Sequence, residues 1–146
     1  ADYTRILELA GDDQADLRWT AQINRALLRS QAADLVGALA DYTEALRLKP
    51  DHAPTYYNRA LARLQHNDLA GAIADTSRAI ELHPSYAQAY ANRATAKGRL
   101  GDLQGALDDL EQAIAFADPE LRARLEQTRH LVHQQIHAQP PVVSPH

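Results

Sequence analysis

Apolar residues recur along this chain at intervals of three, four and seven, which is the spacing of one face of an α-helix. The pattern predicts pairs of helices, in which a first helix is followed by a second after a short turn. The predicted first helices are residues 19–32, 54–66 and 87–100, and the second helices are residues 35–48, 69–82 and 103–117. One such pair cannot bury its apolar face alone, so we expect the pairs to stack on one another.

The helical pattern repeats with a fixed period, which the recurrence of one triplet defines. The triplet Asn-Arg-Ala begins at Asn24, Asn58 and Asn92, which are 34 residues apart. Six further residues recur with the same identity one period and two periods later: Asp34, Leu35, Gly37, Ala38, Asp41 and Ala45. Self-similarity at a fixed period of this length is typical of helical repeat architectures.

The turns inside the pairs carry start signals for the second helices. Three aspartates stand immediately before those helices: Asp34, Asp68 and Asp102. A short side-chain acceptor at this position caps a helix and contributes about 1 kcal/mol. Asn67 and Gly101, just before two of these caps, suit a left-handed backbone, and Ala33 stands at the same position in the first unit. A left-handed backbone costs an alanine roughly 1 kcal/mol.

This register resembles the tetratricopeptide repeat, a helix–turn–helix of about 34 residues. In the second unit the resemblance is carried by Tyr56, Ala60, Ala72, Ala79 and Pro84, of which the three alanines recur in both other units. It covers residues 19–119 and is nearest to a subclass with Asn-Arg-Gly in the first helix, although this chain has alanine in place of that glycine. The resemblance implies an all-α fold: a right-handed superhelical solenoid of three repeats with flanking N- and C-terminal helices. Gln22 stands where the family usually has an aromatic residue or leucine, so we expect looser packing in the first unit.

The same register sets the expected organisation of the chain. We expect an N-terminal helix and linker over 1–18, repeats over 19–52, 53–86 and 87–118, a capping helix over 119–138 and a flexible proline-rich tail over 139–146. Residues 1–4 are identical to residues 40–43, both reading Ala-Asp-Tyr-Thr. The N-terminal helix is therefore either a capping helix or the second half of a further repeat in a longer array.

Composition narrows the class of partner. The net charge is -4 and there is no basic run, which argues against nucleic acid. There is no cysteine, which excludes disulfides and thiolate metal sites and leaves the compartment open, with the cytoplasm favoured. No apolar run approaches the roughly 18 residues that a membrane span needs.

The three asparagines of the triplet are the candidate binding residues. By resemblance, the first helices line a concave groove, so Asn24, Asn58 and Asn92 would form a ladder along it. An amide side chain both donates and accepts, and can pair with the backbone of an extended peptide of any sequence. The alternative is that these amides pair within the fold. The other residues expected to contact a peptide are Ile23, Leu27, Tyr57, Leu61, Gln88 and Thr95, with Arg63, Lys97 and Arg99 as polar edges.

The three arginines of the triplet are interpreted as structural. Each is followed at the same constant spacing by an aspartate, which gives the pairs Arg25 and Asp41, Arg59 and Asp75, and Arg93 and Asp109. Antiparallel helices bring such positions together, so we expect ion pairs, either within a unit or to the next one. A partly buried pair of this kind would cost several kcal/mol to break.

Some tetratricopeptide domains hold a C-terminal carboxylate with lysines and arginines at set groove positions. The corresponding positions here are Ile23, Leu27, Asn58, Gln88 and Asn92, and only Asn58 matches. A carboxylate clamp is therefore not expected.

The expected function is a non-catalytic protein–protein interaction scaffold that binds an extended peptide or partner segment in the groove. The sequence has no Gly-rich phosphate loop and no nucleophile elbow, so neither an enzyme nor a cofactor is expected. His130, His133 and His137 lie along one side of the last helix and are interpreted as a solvated face rather than a metal site. The alternatives are a self-assembly scaffold, with other copies as partners, and an accessory region of a larger enzyme or regulatory protein.

Overall fold

The structure is a computed structural model that describes residues 2–138. The described residues form eight α-helices and no strand. The helices are α1 (Tyr3–Leu9), α2 (Ala15–Gln31), α3 (Leu35–Leu48), α4 (Ala53–Gln65), α5 (Leu69–Leu82), α6 (Ala87–Arg99), α7 (Leu103–Phe116) and α8 (Pro119–Ala138). The fold is therefore all-α, as predicted, and the predicted tail over 139–146 lies outside the described residues. Within 2–138, no helix combines the length and the apolar character needed to cross a bilayer.

The helix boundaries follow the predicted pairs to within a residue, except at the start of α2. That helix begins at Ala15, earlier than the predicted start at Trp19. Asp16 in its first turn is stabilised by the positive end of the helix dipole. Arg18 adds an anchor to the preceding segment, because its Nη1 donates to the Ala10 carbonyl at 3.0 Å.

The three turns inside the pairs have the predicted geometry. The aspartate side chains accept from backbone N–H groups in the first turn of each second helix, at 3.0 Å from Gly37, 2.9 Å from Gly71 and 2.9 Å from Gly105. The residues before the aspartates are left-handed, with φ of 62° at Ala33, 60° at Asn67 and 86° at Gly101. A side chain at Gly71 would collide with the capping carboxylate of Asp68, which accounts for the glycine in each copy.

The chain divides into two compact units, Ala1–Pro84 and Ser85–His146. In the first unit, α1 packs on α2, α2 on α3, α3 on α4 and α4 on α5. Fully buried alanines such as Ala26, Ala38 and Ala60 let these helices approach closely, and Tyr42 is the largest fully buried side chain. Gln22 is buried, and its Oε1 has no partner in the described part of the chain.

In the second unit, α7 packs against both α6 and α8. Its core contains Ala94, Ala106, Leu110, Ala113 and Leu125, with Leu121 and Val132 partly buried against it. Helix α8 thus covers α7 through Leu121, Leu125 and Val132. Asp118 begins this helix, because its Oδ1 accepts from the Leu121 N–H at 2.8 Å.

Helix α1 contacts α2 in the same way as α3 contacts α4. The Arg25 Nη1 donates to Thr4 Oγ1 at 3.3 Å, and the Arg59 Nη1 donates to Thr43 Oγ1 at 3.3 Å. Thr4 and Thr43 are the last residues of the two identical Ala-Asp-Tyr-Thr segments. The sequence identity therefore corresponds to an equivalent contact.

Candidate functional site

The three triplet asparagines occupy equivalent positions on α2, α4 and α6, and each is half-buried. None of their side chains is hydrogen-bonded to another residue within 2–138. The Asn92 Nδ2 is itself buried without a partner in that range. The amides are therefore not used by the fold, although part of their surface is already removed from water.

A cavity of about 120 Å³ lies between α2, α3 and α4 in the first unit, and we call it the α2–α4 cavity. Its lining includes Leu27, Ser30, Tyr42, Asn58 and Leu61. It thus brings together three of the predicted peptide contacts: Leu27, Asn58 and Leu61. Asn24 does not line it.

Two other predicted contacts of the first unit lie elsewhere on the helices. Ile23 packs against the buried cluster of Ala26, Ala38 and Tyr42. The reason is helical spacing, because Ile23 and Ala26 are three positions apart and share a face. Tyr57 is half-buried on α4 and does not line the α2–α4 cavity.

A larger cavity, of about 400 Å³, lies between α6, α7 and α8 in the second unit, and we call it the α6–α8 cavity. Two predicted contacts, Asn92 and Thr95, line it together with Gly98, Leu110 and Val132. Gln88 is exposed on α6 and is not part of the lining.

The structure brings Arg25 and Asp41 together within one repeat. The Asp41 carboxylate accepts from Arg25 Nε at 2.9 Å and Arg25 Nη2 at 2.7 Å. The Arg29 Nη1 adds a third donor at 3.0 Å. The Asp41 side chain is only 3% exposed, so its charge is balanced almost entirely by these two arginines.

The other two repeats have the same arrangement. Asp75 accepts from Arg59 at 2.9 and 2.7 Å and from Arg63 at 2.9 Å. Asp109 accepts from Arg93 at 2.8 and 2.7 Å, and Lys97 Nζ lies 2.9 Å from its Oδ2. Hydrogen bonding to the aspartate raises the pKa of Arg25 and of Arg93, so both guanidinium groups stay charged.

Arg63 and Lys97 were expected at the polar edges of the groove, and the structure instead gives each an aspartate partner. They belong to a second periodic set that the sequence already contained: Arg29, Arg63 and Lys97. Each lies one helical turn after the triplet arginine, so both cations reach the same carboxylate. This periodicity was the signal that could have identified them.

Sequence reasoning did not single out the cluster around Trp19. The His52 ring lies edge-on to Trp19 with centroids 4.9 Å apart, and Lys49 Nζ is 4.1 Å from the Trp19 ring centroid. The His52 Nδ1 accepts from the Thr55 N–H at 3.3 Å, which caps α4. Burial lowers the pKa of His52, and the nearby Lys49 charge lowers it further. The neutral ring is therefore the form that the fold selects.

His130, His133 and His137 lie on α8 with exposed side chains. Among residues 2–138 there is no group of three or more histidine, cysteine, aspartate or glutamate side chains that could hold a metal ion.

Known proteins resemble this chain in fold and, over one repeat, in sequence. Residues 87–118 match the family model for the tetratricopeptide repeat. No curated protein matches the chain. The first TPR of Spaghetti (RPAP3), solved with the HSP90 peptide SRMEEVD, has a TM-score of 0.77 and 21% identity and covers 82% of this chain and 94% of its own.

Two further solved structures have the same fold. The TPR2B domain of yeast Sti1, in a complex with pHsp70, has a TM-score of 0.70 and 29% identity, over 78% of this chain and 98% of its own. The Sgt2 TPR domain from Aspergillus fumigatus has a TM-score of 0.74 and 21% identity, over 88% of this chain and 89% of its own. Residues 87–118 thus match one tetratricopeptide repeat in sequence, and most of the chain shares the fold of solved tetratricopeptide repeat domains.

Proposed function

We propose that the chain is a non-catalytic interaction module that binds an extended segment of a partner protein on its first helices. Two similar structures were solved with peptides of HSP90 and Hsp70, so this fold binds peptide segments in other proteins. The observation that carries the proposal is the state of the triplet asparagines. Their amides have no hydrogen-bond partner among the described residues. Pairing within the fold, the alternative role, would require such bonds.

A peptide backbone supplies what these amides lack. Every non-proline residue of an extended segment offers one N–H donor and one carbonyl acceptor. A buried polar group without a partner costs about 1–3 kcal/mol, and a backbone carbonyl bound to the buried Asn92 Nδ2 would remove part of this cost. Because backbone groups are the same in all sequences, asparagine contacts would set the position of the segment rather than select its residues.

Neighbouring side chains would then supply the selectivity. In the first unit, Asn58 lines a cavity together with Leu27 and Leu61. Leu27 is 36% exposed, which leaves apolar surface beside the amide. This surface favours a segment with an apolar side chain next to the backbone group that Asn58 binds.

The charges argue against an acidic C-terminal segment as the ligand. None of the five clamp positions carries a lysine or arginine. Two of the three cations expected at the groove edge, Arg63 and Lys97, are held by Asp75 and Asp109. The SRMEEVD peptide bound by the RPAP3 domain is therefore not the kind of segment that we expect here.

A displayed peptide library tests the proposal. Peptides selected on the wild-type chain would be measured against Asn58→Ala, and we expect about 10-fold weaker binding, the equivalent of one lost hydrogen bond. The matched control is Asn67→Gly, which removes an amide from the turn after the same helix and keeps the left-handed backbone. Equal affinities of wild type and Asn58→Ala would refute the role of this asparagine.

A further inference from the structure

The two cavities lie at the same position in the repeat but differ more than threefold in volume, at about 120 and 400 Å³. Three lining positions of the α2–α4 cavity recur two repeat periods later in the α6–α8 cavity. The changes are Leu27 to Thr95, Ser30 to Gly98 and Tyr42 to Leu110. Each later residue is smaller than its counterpart, so all three changes add space to the α6–α8 cavity.

The glycine at position 98 is not required by the backbone or by close helix packing. Gly98 has no positive φ, and a Cβ added there would meet only Ala106 Cβ, at 3.9 Å. The second repeat has Leu64 at this position, 8% exposed. Glycine inside a helix is destabilising relative to alanine. The third repeat thus carries a destabilising residue whose structural effect is to keep the cavity open.

The lining defines the chemistry of an occupant. Apolar walls come from Ala106, Leu110, Leu125 and Val132. Among the described lining residues, Arg99 is the only charged one and no carboxylate contributes, which disfavours a cationic side chain. Asn92 also lines the cavity, and its Nδ2 is a buried donor that has no hydrogen-bond partner within residues 2–138.

The volume favours an aromatic occupant. An apolar protein cavity of about 150 Å³ already binds benzene. A cavity of about 400 Å³ can therefore hold an aromatic ring together with adjoining atoms of a peptide backbone. Small aliphatic side chains would leave much of the volume empty and forgo the contacts that packing provides.

We propose that the α6–α8 cavity binds an aromatic side chain of the partner segment. The ring packs against the walls formed by α7 and α8. A backbone carbonyl next to that side chain accepts a hydrogen bond from Asn92 Nδ2. This assignment rests on the proposed peptide-binding function, for which it names a class of ligand: an extended segment with a neutral aromatic residue.

The test uses N-acetyl-L-tryptophanamide as the probe, with N-acetyl-L-alaninamide as its reference. Amide resonances of Gly98 and Thr128, followed by ¹⁵N NMR, should shift saturably with the tryptophan probe only. Gly98→Leu introduces the residue of the second repeat and should weaken binding at least 10-fold. Ser30→Leu makes the matched change in the α2–α4 cavity and should leave the affinity unchanged.

Two further variants keep the test decisive. Gly98→Ala adds one methyl group at ordinary contact distance from Ala106 and should still bind the probe. Thr95→Leu fills the cavity from a second position and should not bind it. Equal responses to the two probes, or unchanged binding by both filled variants, would overturn the assignment. That outcome concerns the cavity alone, because the proposed function is judged separately by peptide binding to Asn58→Ala.

Discussion

Removing the carboxylate of Asp75 should destabilise the fold by about 3 kcal/mol, the lower end of the usual cost of breaking a buried pair. The Asp75 side chain is 4% exposed and accepts three charge-assisted hydrogen bonds, two from Arg59 and one from Arg63. Breaking a buried pair by removing one partner typically costs about 3–5 kcal/mol. The Arg59 and Arg63 side chains are 15% and 24% exposed, so both can turn partly to water. The lower end of the range is therefore expected for Asp75→Ala.

Urea unfolding of wild type and Asp75→Ala measures this loss directly. Glu81→Ala is the matched control on the same helix, because that carboxylate is 66% exposed and pairs with Arg78 at the surface. We expect no measurable change for the control, since exposed pairs contribute little. A loss below about 0.5 kcal/mol for Asp75→Ala would refute the structural role of the repeated aspartates.

The remaining predictions concern the turn after α2 and the cap of α4. Ala33→Gly should raise the free energy of unfolding by up to about 1 kcal/mol, because Ala33 has a φ of 62°. Calorimetry measures the change, and the control Ala32→Gly should show no gain, because φ is -83° there. Below pH about 6.5 the unfolded chain binds a proton at His52 more strongly than the folded chain, so stability should fall as the pH falls. His52→Asn keeps an N-cap acceptor and should make that fall shallower, as measured by urea titrations at pH 7.5 and 5.

The repeat and its turns could be predicted from the sequence because their causes are local. The period is visible in residue identities, and a capping aspartate and its left-handed neighbour act within one turn of chain. Ala33 stands where the other repeats have Asn67 and Gly101, and its backbone is left-handed as theirs is. The pairing of Arg25 with Asp41 followed from antiparallel helices and a constant spacing between the two residue types.

Features that depend on several helices were not predicted. Each aspartate binds two cations that lie one helical turn apart on the first helix, and the constant spacing to the aspartate identified only the first of them. Arg63, the second cation at Asp75, was therefore expected at a groove edge. The difference between the two cavities depends on three side chains changing size together, from Leu27, Ser30 and Tyr42 to smaller residues. The contact between Trp19 and His52 joins two residue types that do not recur at these positions in the other repeats.

The central claim is that the triplet asparagines bind the backbone of a partner segment. Its most direct test is a double-mutant cycle between Asn58→Ala and a selected peptide in which one amide at a time is replaced by an ester. An ester lacks the N–H and has a weaker carbonyl acceptor, so it removes a backbone contact without changing side chains. We expect one position whose ester weakens binding to wild type several-fold but hardly affects binding to Asn58→Ala, a coupling of about 1 kcal/mol. Equal losses for the two proteins at every position would contradict the claim.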